Sequence, residues 1–293
     1  MIDSASLRKR LSFIRYLYTL AARQANDPVP MAYVSVLTLH DSVELFLNLA
    51  CEHHDVPLKN RPDFMEYWDF LNPKLDQPLG HKLSMRRLNE TRRSLKHRGI
   101  LPDGDAIQEF KATTHDFFLT NTPLIFSCNF EELSLVDLVS CQEARCSLKE
   151  AEEKLSSGDT ANAATLAAKA YQQLIWAHVH TAEDRTIQQA LRYQHRLRFS
   201  ARPVTGEHRE VASYLDQLHE SVEAIKKVLL VLALGLDYQR YRRFNQLAPV
   251  DLVFMNAAGG WTVPRYDAQL SEEDCSFCIG FVVDCALSLQ SRA

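Results

Sequence analysis

The sequence predicts a mainly α-helical protein, with an N-terminal helical bundle and a C-terminal helical domain that carries a small β-hairpin. Only 9 glycines and 11 prolines interrupt the 293 residues, so turns are few and the segments between them are long. Apolar residues recur at intervals of three and four in most of these segments, which is typical of amphipathic helices. A content of 46% hydrophobic and 24% charged residues excludes a disordered or fibrous protein.

The first half of the chain contains four long predicted helices and one short aromatic helix. The second of the long helices is apolar on nearly every side, which is typical of a central helix enclosed by others. The third ends before Gly99 and Pro102, residues that commonly terminate helices. The predicted helices cover about residues 5–25, 31–51, 64–71, 81–98 and 106–119.

The second half begins after Val136, so we predict domains at 1–136 and 137–293. Two Ala-rich helices, 142–156 and 160–182, are compatible with a tetratricopeptide-like unit, although no full repeat period is present. The apolar run Val228–Leu236 is far shorter than the ~20 residues of a membrane span, and we predict that it is part of a buried helix. The remaining predicted elements are a helix over 207–236, a hairpin near 250–266 and a closing helix over 271–289.

The cysteines and the N-terminus indicate the cellular compartment of the protein. Seven cysteines are an odd number without the spacing of a disulfide framework, so we expect reduced thiols. The N-terminus carries Asp3 where a signal peptide needs positive charge. We therefore expect a cytoplasmic protein that does not bind a membrane.

A basic segment stands out in a chain whose formal net charge is −4. Residues 81–98 hold seven lysines and arginines against a single acid, Glu90. A helix of this composition offers phosphate contacts along its exposed face. A solvated basic face without any ligand is the alternative interpretation.

Arg92 and His97 lie near the end of this helix, five positions apart. This Arg-x4-His spacing within a helical bundle resembles the motif of the HEPN superfamily of RNA-cleaving domains, and the similarity covers about residues 5–120. It implies a metal-independent endoribonuclease that needs no cofactor and acts as a homodimer on RNA. It further implies a toxin or antiviral effector, which can have a regulatory partner protein, and RNA products with 2′,3′-cyclic phosphate ends.

The chemistry of the two residue types agrees with that role. Histidine exchanges protons near neutral pH and can serve as general acid or base, while an arginine can hold the scissile phosphate. On an ideal helix, residues five apart point ~140° away from each other. The two side chains therefore converge only where the helix ends or where a second subunit contributes.

Further residues complete the predicted site. Glu44 on the second helix is expected to support it, and an ion pair between Glu44 and Arg92 is the main alternative in which Arg92 is purely structural. We predict no metal ligand. The residues expected to bind substrate are Arg87, Asn89, Arg93, Lys96 and Arg98.

The sequence departs from the superfamily pattern at two positions. Arg93 stands where a small polar residue is common, and Gly99 replaces a tyrosine that one toxin branch modifies. The alternative function is therefore a non-catalytic HEPN-like scaffold that binds nucleic acid, a nucleotide or a partner protein. A tetratricopeptide-like adaptor is a third hypothesis.

Other clusters give weaker signals. Cys275 and Cys278 have CxxC spacing but lie in an apolar helix, which favours buried thiols over a zinc site. His53 and His54 are expected at an exposed helix end. The arginines and aromatics between 185 and 209 suit single-stranded RNA, and Arg240, Arg242 and Arg243 are expected to extend that surface.

Overall fold

The structure is a computed structural model that describes residues 3–58, 62–181, 208–255, 259–263, 266 and 268–290. These ranges form ten α-helices, several short 3-10 helices and one two-stranded antiparallel hairpin. The predicted fold class, mainly α with a hairpin near the C-terminus, is confirmed. The chain divides into two compact units, Met1–Leu138 and Val139–Ala293, whereas the sequence suggested a boundary after residue 136.

The first unit is a bundle of four long helices and one short one. Asp3 caps the first helix, because its carboxylate accepts hydrogen bonds from the amides of Ala5 and Ser6. Short 3-10 helices follow at Asn72–Lys74, Phe130–Glu132 and Leu135–Leu138. The α-helices are α1 (Ser4–Gln24), α2 (Met31–His53), α3 (Glu66–Leu71), α4 (Lys82–Arg98) and α5 (Gly104–Phe126).

Helix α2 is the centre of this bundle, as its composition predicted. It packs against all four of the other helices of the unit, and Phe46 meets the rings of Phe117, Phe118 and Phe126 edge-on. By length and composition α2 is also the one helix of the described chain that could cross a membrane, a test that a buried core helix passes equally well.

Helix α5 continues beyond its predicted end at residue 119 and passes through Pro123. Asn121 is fully buried, its amide nitrogen donates to the Phe117 carbonyl, and its oxygen accepts from the Gly80 amide. Tertiary packing of Ile125 and Phe126 thus extends the helix despite the proline.

The second unit is also helical and includes the hairpin. Strand β1 (Phe254–Met255) pairs with β2 (Trp261–Thr262), with Phe254 opposite Thr262. A 3-10 helix, Val250–Leu252, precedes β1. The α-helices are α6 (Gln142–Ser156), α7 (Thr160–Thr181), α8 (His208–Ala233), α9 (Tyr238–Leu247) and α10 (Glu272–Gln290). Helix α9 was not predicted from the sequence.

The prediction that the run Val228–Leu236 is buried is wrong. Val231, Leu234 and Leu236 are buried, but Leu229 and Leu232 are 58% and 54% exposed. The run is apolar on all sides of the helix, but only one side of the C-terminal end of α8 packs against the rest of the second unit. The exposed apolar residues continue along the helix at alternating intervals of three and four, at Leu215, Leu218, Val222, Ile225, Leu229 and Leu232.

Candidate nucleic-acid interface

Helix α4 carries most of the predicted site, and its two ends are well defined. It begins after His81, which adopts a left-handed conformation with φ 62°, and ends at Gly99, with φ 66°. The Gly99 amide donates to the Leu95 carbonyl at 3.1 Å. Met85 and Leu88 are fully buried and hold the helix against the bundle.

The N-terminal half of α4 is engaged in contacts within the unit. Lys82 Nζ lies 2.7 Å from the Asp69 carboxylate. Arg87 forms a two-bond ion pair with Glu109, with N···O distances of 2.6 and 3.1 Å. Asn89 also has a partner within the unit, because its Oδ1 is hydrogen-bonded to the ring of His40 on α2. Two of the residues predicted to bind substrate, Arg87 and Asn89, are therefore already engaged.

The C-terminal half of α4 presents positive charge without internal partners. Arg92 is half-buried, whereas Arg93, Lys96, His97 and Arg98 are exposed. Within the described ranges none of these five side chains makes a hydrogen bond or ion pair. Cations in the last turn stabilise a helix by interacting with its dipole, but that role leaves their outer faces available for phosphate.

Arg92 and His97 belong to one uninterrupted helix, because α4 ends only at Arg98. Their half-buried and exposed environments agree with the ~140° that separates residues five apart on a helix. Of the two routes to convergence considered from the sequence, the helix ending is present at Gly99, two residues beyond His97. The contribution of a second subunit is the other route.

Glu44 does not pair with Arg92 in the part of the chain that the structure describes. Its Oε2 lies 3.8 Å from Nδ1 of His40, one turn earlier on α2. The alternative that Arg92 is held by a structural ion pair with Glu44 therefore has no support in the geometry.

His40 was not predicted from the sequence to be a site residue. Its ring is 2% exposed, and its Nε2 lies 3.1 Å from Asn89 Oδ1 on α4. Its Nδ1 faces Asp41 Oδ1 at 3.6 Å as well as Glu44. The available signal was the spacing of four between His40 and Glu44, which places both on one helix face.

The cysteine pair is buried, as predicted. Cys275 and Cys278 are fully buried in α10, and the Cys275 thiol donates to the Thr160 carbonyl. Burial raises the pKa of the Cys278 thiol to about 12, so this thiol is protonated at neutral pH and is a poor nucleophile.

The histidine pair at the end of α2 is half-buried rather than exposed. The rings of His53 and His54 lie 5.2 Å apart, and burial lowers the pKa of His54. Glu52, the neighbouring acid, pairs with Arg10 at 2.5 Å. These contacts indicate that His53 and His54 have a structural role at the end of α2.

The second basic surface is described only in part. Residues 182–207 lie outside the described residues. Arg240 pairs with Asp284 at 2.7 Å, and Arg243 pairs with Asp274 at 3.0 Å while its guanidinium lies 4.3 Å from the ring centre of Phe277. These two arginines thus hold α9 against α10.

No protein-family model matches the chain, and neither a curated protein nor a solved structure matches it.

Proposed function

We propose that this protein is a metal-independent endoribonuclease of HEPN type, and that it acts as a homodimer and serves as a toxin or antiviral effector. The observation that supports the proposal most is the cluster of cations without internal partners at the C-terminal end of α4 (Arg92, Arg93, Lys96 and Arg98) beside the exposed His97. We call these four cations the α4 cation cluster. Single-stranded RNA is the partner that this combination suits best, because phosphates bind the cations and histidine can move the proton of a 2′-hydroxyl.

Each residue has a separate role in this mechanism. His97 acts as general base toward the 2′-hydroxyl or as general acid toward the leaving oxygen. Arg92 stabilises the additional negative charge that the phosphate gains in the transition state. The more exposed Arg93, Lys96 and Arg98 hold neighbouring phosphates, and the 2′-oxygen attacks phosphorus to leave a 2′,3′-cyclic phosphate and a 5′-hydroxyl.

The helical geometry supports the proposed homodimer. Since α4 is intact between the two residues, Arg92 and His97 of one chain point to different sides of the helix. A twofold axis beside α4 would bring Arg92 of one protomer and His97 of its partner to the same groove. In such a dimer the cation clusters face each other, so the assembly is expected to tighten when RNA neutralises them.

The proposal is tested by incubating the purified full-length protein with total RNA in EDTA and mapping the ends of the fragments. We expect cleavage by the parent chain, and a 10²- to 10⁴-fold loss in the His97→Ala variant, the usual contribution of a general acid or base. His219→Ala is the matched control, because His219 is an exposed histidine of the second unit; it should cleave like the parent.

The melting temperature of His97→Ala should equal that of the parent, since an exposed side chain leaves no cavity when truncated. Cleavage that disappears in EDTA and returns with Mg²⁺ would contradict the metal-independent mechanism. RNA binding without any cleavage would instead favour the non-catalytic scaffold.

The composite site is tested by mixing inactive Arg92→Ala and His97→Ala chains. A mixed dimer retains one intact Arg92 and one intact His97 across its interface, so we expect partial recovery of activity that each variant alone lacks. Full activity of the parent as a monomer at nanomolar concentration would exclude the shared site.

A further inference from the structure

A second group of functional side chains lies on α2, one helix away from the α4 cation cluster. It consists of His40, Asp41 and Glu44, and their ligand atoms all lie within 4.8 Å of one another. The His40 ring is buried, whereas the Asp41 and Glu44 carboxylates are 58% and 38% exposed. A small ion from solvent can thus reach the carboxylates and, behind them, the imidazole.

The hydrogen bond to Asn89 fixes the tautomer of the neutral His40 ring, so that Nδ1 presents a lone pair to the carboxylates. Asn89 Oδ1 is an acceptor, so Nε2 of His40 carries the proton that occupies the 3.1 Å gap. In the neutral ring, Nδ1 is then an acceptor, and it is buried without any hydrogen-bond partner. A buried acceptor directed at two anionic groups is unfavourable unless a positive charge lies between them.

The distances from Nδ1 fit a metal ion as that positive charge. Nδ1 lies 3.6 Å from Asp41 Oδ1 and 3.8 Å from Glu44 Oε2, which is too long for an N–H···O hydrogen bond. Two ligands of a tetrahedral ion with bonds of about 2.1 Å lie about 3.4 Å apart. The two distances from Nδ1 exceed that span by only a few tenths of an ångström, and all three ligand atoms lie within 4.8 Å of one another.

The surroundings of His40 resemble the support that metal-binding histidines usually have. Histidine ligands generally donate their other ring N–H to an oxygen that fixes the tautomer and the ring orientation, and Asn89 supplies that oxygen. Phe64 covers the ring at 4.4 Å between centroids. One imidazole and two carboxylates are a ligand set that suits Zn²⁺ better than Mg²⁺ or Ca²⁺, which prefer oxygen alone.

We propose that His40 Nδ1, Asp41 and Glu44 form a binding site for a divalent transition-metal ion of the Zn²⁺ class, with water completing the coordination. The site does not include Arg92 or His97. It joins α2 to α4 through Asn89 and so stabilises the helix that carries the cation cluster. The metal has no role in RNA cleavage, and the two proposals can fail separately.

The test is calorimetric titration of chelator-treated, full-length protein with Zn²⁺. The His97→Ala chain is used, so that the result does not depend on ribonuclease activity. We expect the Asp41→Asn/Glu44→Gln double variant to bind one equivalent of Zn²⁺ fewer than its parent; both replaced side chains are partly exposed, so the fold should tolerate them. His115→Ala is the control, because His115 forms a separate histidine–carboxylate pair with Glu131 at 3.4 Å, and it should keep the full stoichiometry.

Asn89→Ala examines the supporting contact and should weaken Zn²⁺ binding by about 10- to 100-fold, the usual cost of losing such a partner. Co²⁺ provides an independent readout, since a site of nitrogen and oxygen ligands gives d–d absorption without the thiolate charge-transfer band that cysteine ligands produce. Equal Zn²⁺ stoichiometry in the parent and the double variant, or a cobalt spectrum dominated by thiolate bands, would overturn the proposal.

Discussion

The two halves of helix α4 have similar numbers of cations but use them differently. In the first half, two of the three cations, Lys82 and Arg87, pair with acids of α3 and α5, while the exposed Arg86 has no acid partner in the described ranges. In the second half, none of the four residues of the α4 cation cluster has an acid partner in those ranges. Charge content alone therefore does not identify an interface; what distinguishes the second half is that all of its cations lack compensating carboxylates on the neighbouring helices.

The comparison also separates stability from function. The first half contains the fully buried Met85 and Leu88, so truncating either of them should destabilise the bundle. The cations of the second half are half-buried or exposed, so replacing them should affect ligand binding and leave the fold intact. The following predictions test this division, beginning with the largest effect.

The largest expected effect is on stability, from Leu88→Ala in the first half of α4. Removing a fully buried leucine leaves a cavity, and we expect the free energy of unfolding of the N-terminal unit to fall by about 2–5 kcal/mol. Leu83→Ala is the control in the same helix, because Leu83 is 70% exposed; its effect should stay within about 0.5 kcal/mol. Chemical denaturation followed by circular dichroism measures both, and equal losses would contradict the proposed packing of α4.

The next effect concerns the salt dependence of RNA binding. If the four cations of the α4 cation cluster each contact a phosphate, the logarithm of the affinity for single-stranded RNA should fall with a slope of about −2.8 against the logarithm of salt, or ~50-fold between about 50 and 200 mM. Lys96→Gln should reduce this slope by about 0.7.

Arg87→Gln is the matched control for the salt experiment, because Glu109 already holds Arg87. Its slope should equal that of the parent in fluorescence-anisotropy titrations. If Arg87→Gln and Lys96→Gln changed the slope equally, the division of α4 into a structural and a binding half would be wrong.

The smallest effect is expected at the end of α4. Gly99 has φ 66°, and a residue with a Cβ is strained there even though no atom lies within 4 Å of the added carbon. Gly99→Ala should cost about 1–2 kcal/mol. Gly104→Ala, at the start of α5 and also without a close neighbour, does not require positive φ and should be neutral or slightly stabilising. Thermal melts measure both variants, and equal melting temperatures would contradict a requirement for positive φ at Gly99.

Much of the fold could be predicted from the sequence because local signals determined it. The apolar periodicity of α1 and α2 and the glycine after α4 located those helices within a few residues. The extension of α5 could not be predicted, since it depends on the buried hydrogen bonds of Asn121 to Phe117 and Gly80. The exposure of Leu229 was missed because composition does not reveal which side of an apolar helix finds a partner.

For the candidate site, the sequence identified α4 but could not show which of its residues have partners within the unit and which are available to a ligand. Arg87 and Arg93 look equivalent in the sequence, and only the position of Glu109 on α5 separates them. Asn89 was predicted to bind substrate, yet its oxygen bonds to His40 on α2. Contacts between helices distant in sequence therefore decided the roles that composition left open.

The enclosure of α2 has a consequence for the time scales on which this bundle moves. Most of its residues between 36 and 51 are buried by packed neighbours, so we expect the amides there to exchange hydrogen with solvent only when the N-terminal unit opens as a whole. In α8, by contrast, every side chain of residues 213–222 is exposed, and local fraying is enough for exchange. The slowest-exchanging amides of the N-terminal unit should thus lie in α2, next to the group of His40, Asp41 and Glu44.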